Sequence, residues 1–197
     1  MTVTDTALDR AATAIRRGDL VVYPTETVYG LGADALDPTA IDRVYEVKRR
    51  PRENPLSLAV PTVEAAHQYV TVDALEHRFM RAFLPGPVTV VCRKQAHVPA
   101  ELTAGRDRVG VRVPDHPVAR ALLDRVAPIT ATSANVSGTG SVRRIQDLSV
   151  RVRDAAATVL DDGETPGTES TVVDVAAGEI LRRGAMADAI EAWFSEE

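Results

Sequence analysis

The chain has 197 residues, 45% of them hydrophobic, with a formal charge of −5 and a sequence pI near 5.4. That length and apolar share are enough for one core, which predicts a single domain over 1–197. The acidic balance excludes a protein that coats nucleic acid or anionic membrane through its overall field, so any anion site must be local. The single cysteine, Cys92, excludes a disulfide framework and a zinc site built mainly of thiolates. Residues 1–17 carry acids and no long apolar run, which predicts neither a signal peptide nor a membrane span and places the protein in the cytoplasm.

Apolar residues at Leu8, Ala11, Ala12 and Ile15 recur with a helical period and predict an amphipathic helix over 7–17, stopped by Gly18. Residues 20–23 read as a buried strand, so 25–32 should be the loop and strand edge that leave it. Asp37-Pro38 is an N-cap followed by proline in the first turn, and Ile41, Val44, Tyr45 and Val47 carry that helix to Lys48 before Pro51 halts it. A short strand follows at 56–60. Asp73-Ala74-Leu75-Glu76 has capping-box spacing and opens a helix through Phe83, which Pro85-Gly86-Pro87 ends before a strand at 88–92. Cys92 in that strand reads as a small apolar filler. The remaining elements are a strand at 109–113, a helix at 116–126, a strand at 128–131 and further strands at 159–161, 171–175 and 180–182. A closing helix at 186–194 is anchored by Trp193. Strands and helices interleave, but several strands are joined by short links, which predicts a mixed sheet with helices on its faces.

Gly30-Leu31-Gly32-Ala33-Asp34-Ala35 imitates a dinucleotide fingerprint, yet no helix opens directly behind it as the pyrophosphate contact requires. There is no G-x-x-x-x-G-K-[ST] loop, G-x-S-x-G or H-E-x-x-H. The histidines at 67, 77, 97 and 116 lack ligand spacing, and His116 is expected to shape a helix start. The cations of Lys48-Arg49-Arg50-Pro51-Arg52 complement a helix C-terminus and can simply be solvated. Lys48 and Arg50, two apart at the helix exit, can also turn together toward a polyphosphate. Thr132-Ser133-Ala134-Asn135, with Ser137, Gly138 and Ser141, is either a self-capped polar turn or a set of uncharged donors for phosphate or ribose. Arg112 interrupts a buried-type strand and must either form an internal salt bridge or clamp a carboxylate. Glu169-Ser170-Thr171 and Ile180-Leu181-Arg182-Arg183-Gly184 read as edge strands or as walls of the same groove.

Read together, Pro24-Thr25-Glu26-Thr27-Val28-Tyr29-Gly30-Leu31-Gly32, Lys48-Arg49-Arg50-Pro51 and Thr132-Ser133-Ala134-Asn135-Val136-Ser137-Gly138 resemble the YrdC-like family of threonylcarbamoyl-AMP synthases. The likeness extends from the first helix to Arg182, and Leu84-Pro85-Gly86-Pro87 resembles the family's Trp-Pro-Gly-Pro with leucine for tryptophan. The resemblance implies an α/β YrdC-like fold, a twisted mixed parallel and antiparallel sheet flanked by helices around a concave groove. It implies an ATP-dependent nucleotidyltransferase that condenses L-threonine, bicarbonate or CO2, and ATP, with Mg2+, into threonylcarbamoyl-AMP and pyrophosphate. A separate tRNA threonylcarbamoyl transferase would then use the product. By the same likeness Thr25, Arg112 and Ser170 hold threonine. Lys48 and Arg50 are catalytic and, with Ser133, Asn135, Ser141 and Arg182, hold the nucleotide; no metal is held by the protein. The length resembles the short form of the family, and Ser57-Leu58-Ala59-Val60 stands where some members carry a histidine. Two alternatives use the same anion site. One is an RNA-binding module on the cationic rim of Arg43 to Arg52 with Arg143 and Arg144, a weak RNA contact that the charge and the 4% aromatic content disfavour. The other is a relative that adenylates carbamoyl phosphate.

Overall fold

The computed structural model describes residues 3–196. Helix α1 (Asp5–Arg16) starts earlier than its apolar period suggests, because the Thr4 hydroxyl caps it by accepting from Ala7 N at 3.3 Å. Strand β1 (Leu20–Tyr23) is buried throughout and turns back into β2 (Gly30–Gly32), with Tyr23 opposite Gly30 and Val21 opposite Gly32. Gly30 permits this approach, since a Cβ there would stand 2.8 Å from Tyr23 Cζ. The Gly-Leu-Gly stretch is therefore a strand laid against an aromatic ring. Helix α2 (Pro38–Lys48) opens as expected, with the Asp37 side chain accepting from Thr39 N at 2.8 Å and proline in the first turn.

In chain order β3 (Ser57–Ala59), α3 (Val63–Ala66), β4 (Val70–Thr71), α4 (Ala74–Phe83), β5 (Val88–Lys94), α5 (Ala100–Thr103), β6 (Arg108–Arg112), α6 (Pro117–Leu123) and β7 (Ile129–Ala131) follow. Then come α7 (Val150–Ala155), β8 (Ala156–Val159), β9 (Thr171–Asp174), β10 (Glu179–Arg182) and α8 (Ala187–Glu196). Asp73 and Glu76 form the reciprocal capping box that starts α4. Helices α3 and α5, four residues each, are too short to show a helical period. Helix α7 is disguised by Val150-Arg151-Val152-Arg153, which alternates like a strand, although only Val152 is buried. Because α7 runs straight into β8, that strand lies at Ala156–Val159 and not at 159–161.

The strands form two sheets, β2-β1-β8 and β10-β9-β5-β6-β3-β7, with β4 on β5. Parallel pairs (β1 with β8, β3 with β6, β5 with β9) sit among antiparallel ones, the mixed sheet that the short links predicted. Backbone bonds from Leu31 N to Thr132 O (2.8 Å), Ala134 N to Tyr29 O (2.8 Å) and Thr130 N to Ala33 O (2.9 Å) carry the ladder from β2 onto residues 129–134 and fuse the sheets. The buried Thr130 hydroxyl adds to that seam, donating to Leu31 O and accepting from Ala33 N, both at 3.1 Å.

Alternation along the strands then divides the chain into two surfaces. Leu58, Val88, Val90, Cys92, Val109 and Val111 enter the larger core with Tyr45, Phe79 and Met80 from α2 and α4. Trp193 of α8 closes that core edge-on to Phe79 at 5.1 Å. Leu8 and Ile15 of α1 pack with Leu122 and Leu123 of α6 in a second cluster. Cys92 is fully buried, and burial pushes its thiol up. Among the described residues no helix is long and apolar enough to cross a membrane.

Thr130→Val keeps the volume at the seam but removes a hydroxyl that satisfies two backbone groups. A loss of about 1–3 kcal/mol in urea denaturation is expected. A loss indistinguishable from zero would mean that the seam does not depend on this side chain.

Candidate active site

The strand residues that face away from the core floor a groove of about 570 Å³, lined among others by Ser57, Thr89, Gly110, Arg112, Ser170 and Arg182. Gly110 is its low point, since a Cβ there would come within 2.4 Å of Ser57 Oγ and 2.9 Å of Thr89 Cγ2. The β1–β2 connection forms one wall. Arg50 with residues 54–57, and Glu169, Ser170 and Arg182, complete the lining.

The three residues expected to hold an amino acid all line this groove. Thr25 is buried. Its hydroxyl donates to Val28 O at 2.6 Å, accepts from Thr27 N and Val28 N at 3.2 Å, and lies 2.8 Å from Thr27 Oγ1, so it organises the loop as well as facing the cavity. Arg112 forms the internal salt bridge of one reading and does so at the edge of the groove. Its Nη2 bonds Glu26 Oε1 at 2.7 Å and Thr27 Oγ1 at 2.6 Å, and the side chain still borders the groove. Glu26 Oε2 and Arg112 Nε are buried without partners among the described residues, so this pair retains unused polar capacity. Ser170 Oγ lies 3.2 Å from Thr89 Oγ1 and accepts from Arg182 Nη2 at 2.9 Å.

The residues expected to hold a nucleotide divide into two sets. Arg50, Ser133 and Arg182 line the groove; Lys48 and Asn135 are buried beside it without lining it, and Ser141 reaches it only through Glu169. Arg50 is braced by the carbonyls of Asn54 and Pro55, each at 2.9 Å. Arg182 donates to Ser170 O at 2.8 Å and pairs with Glu169 at 3.4 Å; Glu169 in turn accepts from Ser141 Oγ at 2.8 Å. Asn135 spends its side chain on its own loop, donating to Val136 O at 2.9 Å and Thr139 O at 2.7 Å and accepting from Ser133 Oγ. Lys48 is only 1% exposed, and its ammonium bonds the carbonyls of Ser133 and Asn135. Burial lowers its pKa to about 7, the nearby Arg50 adds to the shift, and Glu169 opposes it.

Motif reading missed Ser57, Thr89 and Gly110, which a period-two count along β3, β5 and β6 would have put on the Arg112 face. It also left Glu26, Thr27 and Glu169 without roles. Arg108 interrupts β6 as Arg112 does; it also lines the groove, bonded to Asp174 at 2.9 Å with Glu76 at 3.5 Å. His116 caps α6 by accepting from Val118 N at 3.3 Å, the helix-start role expected of it.

The Lys48 shift has a signed consequence for stability. Below about pH 7 the folded and unfolded chains both hold the proton, and the burial penalty is present in full. Between there and 10.5 only the unfolded chain holds it, so wild-type stability relative to Lys48→Met should rise with pH, by about 1.4 kcal/mol per unit. Urea denaturation of both proteins from about pH 6.5 to 9.5 checks this. A flat difference would mean that Lys48 keeps its ordinary pKa. Gly110→Val should fill the groove floor, so that ligand affinity falls while far-UV circular dichroism stays that of the wild type.

The family described as Telomere recombination, Sua5/YciO/YrdC, matches residues 13–184. The chain is 42% identical over 169 residues to a threonylcarbamoyl-AMP synthase of Pyrococcus abyssi, across 84% of this chain and 49% of that protein. It thus spans about half the length of that relative. A threonylcarbamoyl-AMP synthase of Xanthomonas axonopodis pv. citri is 36% identical over 187 residues, covering 91% of this chain and 100% of the relative. The crystal structure of P. abyssi Sua5 complexed with L-threonine matches with a TM-score of 0.85 at 39% identity, over 90% of this chain and 54% of that one. With likeness of this extent in both sequence and fold, the chain belongs to the Sua5/YciO/YrdC family.

Proposed function

We propose that this protein condenses L-threonine, bicarbonate or CO2, and ATP into threonylcarbamoyl-AMP and pyrophosphate. The observation that carries the proposal is one groove with cationic side chains from separate elements, Arg112 on β6, Arg182 on β10 and Arg50 just beyond α2, and neutral hydroxyls of Thr89, Ser133 and Ser170 among them. Such a surface suits two anionic substrates held side by side, and relatives of this chain carry the synthase name.

In this reading the threonine carboxylate takes the guanidinium of Arg112, displacing part of its bond to Glu26, while Thr25 and Ser170 orient the rest of the amino acid. The threonine nitrogen attacks the carbon of CO2 to form a carbamate and releases one proton. A carbamate oxygen then attacks the α-phosphorus, the bond between the α-phosphorus and its bridging oxygen breaks, and pyrophosphate leaves. No side-chain nucleophile is needed. The protein contributes alignment and positive charge, with Arg50 and Arg182 at the side where charge accumulates on the leaving group and Ser133 on the phosphate oxygens.

Mg2+ would arrive with the triphosphate. Such an ion would be held largely by phosphate oxygens and water. The product is a mixed anhydride, so its consumer would be a transferase that passes the threonylcarbamoyl group to a nucleophile, in this reading a tRNA adenosine.

Pyrophosphate release from ATP and Mg2+ should require both threonine and bicarbonate, with L-serine and carbamoyl phosphate much poorer replacements for threonine. Release that ignores threonine but follows carbamoyl phosphate would replace this reading with the carbamoyl-adenylating one. Arg112→Lys keeps the charge beside Glu26 but loses the two-pronged grip. It should raise the KM for threonine about tenfold or more and leave the KM for ATP near that of the wild type.

A further inference from the structure

We propose that Lys48 is a positioning residue that clamps the loop at 133–137 beside the groove, and that the groove-facing cation of its motif is Arg50 alone. Three bonds tie Lys48 to that loop. Its ammonium donates to Ser133 O and, at 2.7 Å, to Asn135 O, and its own backbone carbonyl accepts from Ser137 N at 2.8 Å. The residue is 1% exposed and does not itself line the cavity, whereas Ser133, whose carbonyl it holds, does. An ammonium has three donors; with two engaged on loop carbonyls, a phosphate can take no more than the third unless loop bonds are given up or the loop moves.

The backbone explains why residues two apart go different ways. Helix α2 ends at Lys48, and Arg49 takes the left-handed conformation with φ of 49°. The chain reverses there, so Lys48 stays under the loop while Arg50 emerges onto the groove wall, braced by Asn54 O and Pro55 O. The Ser-x-Asn pair repeats the division. Asn135 knits the loop together by bonding Ser133, Val136 and Thr139, and Ser133 faces the cavity. Lys48 and Asn135 thus build the shelf on which Arg50 and Ser133 are displayed. The geometry of the clamp is independent of any ligand; only the step from shelf to nucleotide affinity rests on the function proposed above.

Amide hydrogen exchange of the ligand-free protein tests the clamp directly. In Lys48→Met, amides of residues 133–139 should exchange at least about tenfold faster than in the wild type, while Arg50→Ala leaves them unchanged. Both variants should weaken ATP binding measured by calorimetry. Unchanged exchange in Lys48→Met would overturn the proposal, and with a loss of ATP affinity equal to that of Arg50→Ala it would make Lys48 a direct phosphate ligand. Failure of the wild type itself to bind ATP would refute the nucleotide reading and leave the exchange result standing. If Lys48→Met does not fold, side-chain ammonium NMR of the wild type near pH 6 decides, because lysine occurs only at 48 and 94. The Lys48 ammonium protons should be protected and visible before any ligand is added. Free exchange with water in that state would overturn the clamp.

Discussion

The seam between β2 and residues 129–134 is the constraint on which the groove depends. Neither sheet alone makes a concavity: β2-β1-β8 is a three-stranded ribbon, and the larger sheet has one face given over to core packing. Three backbone hydrogen bonds and the Thr130 hydroxyl join them, so that the open face of the larger sheet becomes a floor and the β1–β2 connection becomes a wall. The seam demands close approach, and Gly32 is where that demand meets the sequence, since a Cβ there would stand 3.2 Å from Ile129 Cδ1. Motif residues separated by about a hundred positions therefore meet because backbone groups far apart in the chain find each other, which is a tertiary event and not a local one.

Around that frame, short motifs divide their members between building and display. Thr25 folds its own loop through Val28 and also borders the cavity; Asn135 is buried without lining that cavity, and Ser133 lines it. Substituting a builder therefore damages several neighbours at once, whereas substituting a displayed residue such as Arg50 removes one contact. Effects of the builders will be strongly non-additive with those of their neighbours.

Much of this was legible in the sequence, for identifiable reasons. Asp37-Pro38 and Asp73 to Glu76 are local signals whose chemistry is complete within one turn, and both helices begin where those residues place them. The mixed sheet followed from short connections. What stayed hidden lacked a local signature: four-residue helices, an α7 whose valines alternate, and a floor made of Ser57, Thr89 and Gly110, each unremarkable until β3, β5 and β6 are set in register. Lys48 marks the limit most clearly. A lysine in the last turn of a helix reads as a solvated partner of the helix dipole, and its burial depends on a loop some 85 positions away.

Carboxylates already sit on several of the groove's arginines, Glu26 on Arg112, Glu169 on Arg182 and Asp174 on Arg108. An incoming anion does not enter a bare positive field; it trades places with a resident one. Exchange of that kind releases few bulk counterions, so binding should respond to salt far less steeply than it does for proteins that gather phosphates on exposed cations. In a chain with a net charge of −5, resident carboxylates offset part of the groove's positive charge, so it can select its ligands by fit without attracting polyanions at large.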